Sequence, residues 1–203
     1  LIGTSNLLEI CKNKKNIKSL LIITSDKCYK IRKTIYPYKE SDEISGDDPY
    51  SASKACQEII SWSFAKNFYH SKNKYNIATC RAGNIIGGGD FSKNRLVPDI
   101  IKAINNKKKL IIRNPYQVRP WQHILEPLIG YLLLAEKQYH GKIKVLNNCW
   151  NFGPQKKNSR KVIEIVNYIK TIIKFDYSVK ANKNIKETEI LKLNSLKAKK
   201  ILG

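Results

Sequence analysis

Methionine is absent from this sequence, histidine occurs only three times, and none of the five cysteines stands in a Cys-x-x-Cys pair. Cys11, Cys28, Cys56, Cys80 and Cys149 are scattered, so neither a zinc site nor a disulfide framework is expected and no metal is assigned. They read as reduced, mostly buried thiols. Apolar runs are short: the longest, around residues 128–135, is interrupted by Gly130 and Tyr131, and a membrane-spanning helix needs roughly 18 residues. No charged segment leads into an apolar stretch with a small-residue cleavage site. The expectation is a cytoplasmic protein without a membrane partner. Acidic residues are scarce, 16 against 38 basic ones, for a formal net charge of +22. A polyanion such as nucleic acid would exploit that charge. However, only six of the basic residues are arginine, and the lysines spread along the whole chain beside abundant Asn and Ile. A biased codon pool explains this mixture more simply, no nucleic-acid-binding motif accompanies it, and no nucleic-acid partner is expected. Lysine clusters at residues 12–15 and 107–109 follow helical patterns and read as solvated helix ends.

With 42% apolar and 27% charged residues over 203 positions, the composition is that of a globular chain with a sizeable core. An amphipathic helix is already under way at residues 1–11, with Leu7, Leu8 and Cys11 on one side, and a helix over 195–203 ends at its glycine. With no methionine at position 1, these ends lead to the expectation of a fragment lacking sequence mainly at its front. Between them, strands alternate with helices, the mark of an α/β fold with a parallel sheet. Residues 20–24 form a continuous apolar run suited to a strand covered on both faces, and residues 77–81 read as a second buried strand. Residues 48–69 read as a long helix with Asp48 as N-cap and Pro49 at its first position. Further helices are expected near 98–107, 127–139 and 161–174, and strands near 110–113, 121–124 and 145–152.

Tyr50 and Lys54, in Tyr-Ser-Ala-Ser-Lys, are spaced so that phenol and ammonium share one helix face a turn apart. An ammonium so placed stabilises a phenolate, and the first-turn helix dipole acts in the same direction, which equips the tyrosine as a base. A surface Tyr and Lys at a helix start would show the same spacing by chance, so context matters. The apolar strand at 20–24 runs straight into Ser25, Asp26 and Lys27, which should emerge at the carboxyl end of a parallel strand, where ligands bind in open α/β sheets. An ordinary solvated loop is the bland alternative.

Four blocks then carry a specific resemblance: residues 24–29 (Thr-Ser-Asp-Lys-Cys-Tyr), 48–54 (Asp-Pro-Tyr-Ser-Ala-Ser-Lys), 81–90 (Arg-Ala-Gly-Asn-Ile-Ile-Gly-Gly-Gly-Asp) and 119–123 (Arg-Pro-Trp-Gln-His). In order and spacing they resemble the nucleotide-sugar 4,6-dehydratases of the extended short-chain dehydrogenase/reductase type, the CDP-glucose group above all. Similar blocks at 3–9, 150–154 and 195–203 extend the likeness over nearly the whole chain. The resemblance implies a Rossmann-type doubly wound parallel sheet, present in part. Residues 1–95 would belong to the NAD-binding domain. Residues 96–203 would belong mostly to a smaller nucleotide-sugar-binding α/β region, some segments returning to the first domain. It implies a lyase that uses NAD without net redox change, a nucleotide-sugar substrate, and a homo-oligomer in full-length form. By the likeness, Tyr50 takes the proton of the sugar 4-hydroxyl, Lys54 holds the ribose, Ser25 holds the 4-oxygen, and Asp26 and Lys27 serve the elimination of water. Thr24 and Gly83 would join Tyr50 and Lys54 at the cofactor. Asn84, Leu96, Val97, Pro98, Arg119 and Asn151 would grip the substrate. The lysine at position 27, where dTDP-glucose enzymes carry glutamate, agrees with the CDP-glucose group.

Arg119 has the clearest physical case, since a guanidinium offers a bidentate fork to a diphosphate. A structural ion pair is its alternative reading. Gly87, Gly88 and Gly89 could pass for a phosphate cradle, but such a loop opens a helix directly after a strand, and Asp90 and Phe91 follow instead. They read as a substrate-side loop with special backbone angles. His70 and His140 are expected at solvated helix ends, His123 beside the substrate block, and Ile59, Ile60 and Phe64 in the core. Residues 182–189 depart from the usual tail of the resembled family. The rival readings are a dehydratase or epimerase of another nucleotide sugar (dTDP-glucose or a UDP-sugar), an inactive fragment, and a basic nucleic-acid-binding module. The long interval between Lys27 and Tyr50 disfavours the dehydratases that invert UDP-N-acetylglucosamine.

Overall fold

The computed structural model describes residues 1–14, 16–32, 36–69, 76–143, 149–154, 158–180 and 191–203. The expectations at Lys15, His70, the strand residues before Cys149 and the tail at 182–189 lie outside the described residues. In chain order the elements are α1 (Ile2–Lys12), β1 (Ser19–Ile23), a 3-10 turn (Asp26–Cys28), α2 (Pro49–Phe64) with a π-helical turn (Ala65–Tyr69), and β2 (Asn76–Ala82). There follow β3 (Ile85–Ile86), α3 (Leu96–Asn105), β4 (Leu110–Ile112), β5 (Val118–Pro120), β6 (Gln122–His123) and α4 (Leu125–Tyr139). The last are β7 (Cys149–Phe152), β8 (Ser159–Lys161), α5 (Val162–Ile172), β9 (Tyr177–Val179) and α6 (Leu196–Leu202).

These elements form two compact units, Leu1–Gly83 with Leu125–Gly153 and Leu193–Gly203, and Asn84–Ile124 with Pro154–Lys192. The second of these units begins at Asn84. β2 ends at Ala82, and Asn84, at φ 50, turns the chain toward the parallel pairing of β3 with β6.

In the first unit β1, β2 and β7 run parallel in that order, with Leu20 opposite Ile77 and Cys80 opposite Trp150. β2 is buried from Ile77 onward, and its residues alternate between faces. Ile77, Thr79 and Arg81 line a space shared with Ile59 and Trp62 of α2, whereas Cys80 faces Tyr131 of α4. Helices thus cover both faces, the Rossmann-type arrangement. The core beneath α1 and α2 gathers Leu8, Cys11, Ile22, Ala65 and Ile77, with Ile60 and Phe64 packed against it.

The buried stripe of α1 is Thr4, Leu8 and Cys11, and Leu7, expected among them, is 43% exposed. On α2 the buried positions are Ser51, Ala55, Glu58 and Ser61, which leaves Ile59 off the core face and 55% exposed. Both corrections follow from the 3.6-residue period, which turns an adjacent position about 100° away.

In the second unit α3 and α5 close over the parallel pair β4 and β9, with Ile100, Ala103, Leu110, Ile112 and Val166 as core. β5 pairs antiparallel with β8. Among the described residues no helix is long and apolar enough to cross a membrane.

Candidate active site

β1 delivers Ser25 and the 3-10 turn at its carboxyl end. Ser25 is extended (φ −163°, ψ 157°) and its Oγ accepts the Lys27 amide hydrogen at 3.2 Å, capping the turn. The same hydroxyl donates to Asp26 Oδ1 at 3.1 Å. Asp26 is 3% exposed, and a Cβ on Gly83 would fall 1.8 Å from its Oδ2. Gly83 therefore makes room for a carboxyl group, a task that any side chain there would prevent.

α2 supplies the second half. Asp48 Oδ1 accepts the amide hydrogens of Tyr50 at 2.9 Å and Ser51 at 3.1 Å, and Pro49 occupies the first helical position. The Ser51 hydroxyl, then the Ser51 and Tyr50 amides, hold the Asp48 carboxyl below its usual range against a smaller opposing effect of burial. The helix so started carries Tyr50 and Lys54 on one side, with Lys54 Nζ 5.9 Å from the Tyr50 ring centroid. Lys54 Nζ also donates to the Ile23 carbonyl at 3.4 Å, so the ammonium sits at the end of β1, where Ser25 follows. Tyr50 is 52% exposed, open to a ligand. Ser25, Asp26, Lys27, Tyr50 and Lys54 thus all belong to one strand end and the helix beside it.

Two candidate residues have their side chains engaged within the molecule. Thr24, expected at the cofactor, turns its hydroxyl inward to Glu58 Oε1 and the Cys80 carbonyl, because its side chain faces the packed space beneath α2. Asn151, expected to grip the substrate, is fully buried. Its Oδ1 accepts from the Tyr29 hydroxyl at 2.7 Å and its Nδ2 donates to the Tyr38 carbonyl at 3.0 Å, so both ends of the amide are spent inside the molecule. Asn84, Leu96, Val97, Pro98 and Arg119 lie in the second unit. Asn84 is half-buried and Leu96, Val97 and Pro98 form the half-buried first turn of α3. Arg119 is 6% exposed and donates to the Val118 carbonyl at 3.1 Å and Gln117 Oε1 at 2.7 Å. Of the glycine loop, Gly89 alone needs its special angles (φ +77°), and Gly87 is required by the close approach of Ile124.

Sequence reasoning missed a buried polar network beside the site. Arg81 Nη2 donates to Glu58 Oε2 at 2.7 Å, with both side chains about 5% exposed or less. Thr79 Oγ1 donates to the same Oε2 at 2.6 Å, and Arg81 Nη1 donates to the Tyr29 phenol oxygen at 2.8 Å. Burial opposes the Arg81 charge, but the hydrogen bond and charge of Glu58 outweigh it and keep the guanidinium protonated. Burial also lifts the neighbouring Tyr29 phenol and pushes the Cys28 thiol up to about 12, against the opposing charge of Arg81. The signal for this network was an arginine inside a strand expected to be buried, since such a charge must find a partner. A cleft of about 380 Å³ lies beside the network, lined by Glu40, Ile44, Trp62 and Arg81 among others. Ser25, Tyr50 and Lys54 are not among its walls, and the catalytic assignment rests on the strand end.

The sequence profile of the NAD dependent epimerase/dehydratase family matches residues 1–153. CDP-glucose 4,6-dehydratase from Salmonella typhimurium is 42% identical over 208 residues, covering 100% of this chain and 58% of that protein. dTDP-D-glucose 4,6-dehydratase from Dictyostelium discoideum is 27% identical over 164 residues, covering 75% of this chain and 35% of its own length. The chain therefore spans little more than half of the first relative. Among solved structures, dTDP-glucose 4,6-dehydratase from Bacillus anthracis in complex with NAD superposes with a TM-score of 0.81 at 23% identity, over 99% of this chain and 60% of that one. UDP-glucuronic acid 4-epimerase from Bacillus cereus gives 0.83 at 19% identity, over 99% and 60%. These two structures share the fold. With three quarters of its length matched by the profile and a relative 42% identical along its whole length, the chain belongs to the NAD dependent epimerase/dehydratase family.

Proposed function

We propose that this chain carries the catalytic residues of a nucleotide-sugar 4,6-dehydratase that converts CDP-glucose to CDP-4-keto-6-deoxyglucose with loss of water. The observation that carries the reading is the placement of Lys54 Nζ at the Ile23 carbonyl and near the Tyr50 ring. It sets a phenol and a cation beside the turn that bears Ser25, Asp26 and Lys27. The likeness to a CDP-glucose enzyme, 42% identical along the whole of this chain, supports the choice of substrate.

The residues fit a nicotinamide dinucleotide: an exposed phenol and an ammonium stand at the carboxyl end of a parallel strand, where such cofactors lie in open α/β sheets. Tyr50 and Lys54 would hold it. When bound, NAD supplies a hydride acceptor for sugar C4 and a donor for C6. Tyr50 removes the proton of the 4-hydroxyl, with Lys54 stabilising the phenolate, and Ser25 fixes the 4-oxygen. The resulting ketone acidifies the C5 hydrogen. Lys27 takes that proton and Asp26 protonates the departing 6-hydroxyl, so water leaves across C5 and C6, and Lys27 returns its proton to C5 as C6 accepts the hydride. A base and an acid on one short turn suit a reaction that needs both at adjacent carbons.

The test uses the full product of the gene with CDP-glucose and NAD. A product lighter by one water, formed without net change in cofactor, is expected, and a 4-epimer of unchanged mass would overturn the reading. The Lys27→Ala variant should still show the nicotinamide absorbance change on adding substrate but release no dehydrated product. Normal turnover would remove Lys27 from its role.

A further inference from the structure

The Glu58 and Arg81 ion pair touches the residues on either side of the catalytic turn. Glu58 Oε1 accepts from the hydroxyl of Thr24, the residue immediately before Ser25. Arg81 Nη1 donates at 2.8 Å to the phenol oxygen of Tyr29, the residue immediately after the turn Asp26–Cys28. The two halves of the pair are joined at 2.7 Å, so one buried unit fixes both ends of the segment that bears Ser25, Asp26 and Lys27. Tyr29 is held further by Asn151 and by stacking on Tyr38, with ring centroids 4.8 Å apart. Glu58 also lies one helical turn beyond Lys54 on α2, on the buried face of the helix that presents Tyr50 and Lys54. The same carboxylate therefore ties that helix to β1 through Thr24 and to β2 through Thr79 and Arg81.

We infer that Glu58, through its bonds to Thr24 and Arg81, is a positioning residue that sets the distance between the Tyr50 and Lys54 pair and the Ser25–Lys27 turn. The inference rests on the reading given under Proposed function. A stabilising ion pair can sit anywhere in a core. This one grips the two flanks of the turn and the helix opposite, the two pieces whose relative placement the reaction depends on. Charged hydrogen bonds shielded from water resist displacement more than neutral ones do. A misplacement of about 1 Å in such a site costs on the order of a hundredfold in rate.

The experiment compares Thr24→Val, Glu58→Gln and their combination in the full product of the gene. Thr24→Val removes one hydroxyl and leaves the ion pair in place, so it keeps the test alive if Glu58→Gln does not fold. Each single variant should lower kcat on CDP-glucose roughly ten- to a hundredfold with KM within about twofold, and the double variant should lose less than the product of the two. Amide hydrogen exchange supplies a readout that does not depend on turnover: residues 25–29 should exchange about tenfold faster or more in each variant, with α4 unchanged. Unchanged kcat in a folded variant, or a rise in KM alone, would overturn the positioning role, as would unaltered exchange at residues 25–29. If the unmodified protein fails to act on CDP-glucose, the substrate reading falls. In that case exchange still decides: acceleration confined to the turn supports the clamp and its absence refutes it.

Discussion

Glu58 and Arg81 are about as deeply buried as the apolar side chains around them, each 4% exposed, and together they satisfy Thr24, Thr79 and Tyr29. Desolvating two charges is expensive, so the pair adds little net stability relative to apolar residues of the same shape, yet losing one member leaves the other stranded. Glu58→Ala should therefore destabilise the fold by about 3–5 kcal/mol. Urea unfolding followed by circular dichroism checks this, and a loss within the ordinary range of a surface substitution would contradict the burial. At this scale Ser25, Tyr50 and Lys54 were identifiable as candidates because their types and spacing suit the proposed chemistry. The true partners of Thr24 and Asn151 were not, because a hydroxyl or an amide pairs equally well with a ligand or with a core residue until its surroundings are known.

α2 shows what an element can announce about itself. Asp48, Pro49 and the residues that follow make a helix start legible from sequence alone, and the helix begins where that signal lies. Asp48→Ala should cost about 1 kcal/mol, within the usual range for a lost N-cap. Its pH dependence has a definite sign. The carboxyl of the folded state is held below its ordinary value of 3.8, by the Ser51 hydroxyl first and then by the backbone amides. The stabilisation is therefore present above pH 3.8 and is lost as pH falls through the lower folded value. Melting curves between neutral and acid pH should converge for the parent and Asp48→Ala, and a constant gap would refute the cap. In contrast, β3, β5, β6, β8 and β9 span two or three residues each. Such segments are too short to display a period of two, and their strand character comes from the partner they meet.

For the whole molecule, β1 stands at the edge of the described sheet order, with Ile23 46% exposed. Leu1 and, on α1, Ile2, Leu7 and Ile10 are exposed as well. An open strand edge beside apolar surface favours pairing with another chain. The 203-residue chain prepared alone should accordingly self-associate as its concentration rises, with light scattering as the measure. A monodisperse monomer at high concentration would count against an accessible edge. The charge of +22 opposes such association through repulsion, so added salt should promote it.

By itself the sequence determined the α/β alternation, the starts of the principal helices to within about two residues and the candidates for the proposed chemistry, because propensity, capping and acid-base function reside in short stretches of chain. Only the tertiary structure decided that Asn151 faces inward, that Gly83 makes room for Asp26, that the second unit begins at Asn84, and that Glu58 and Arg81 bind the residues flanking the 3-10 turn to α2. Those facts depend on segments far apart in sequence meeting in a dry interior, where each polar atom must find a partner that no local pattern encodes.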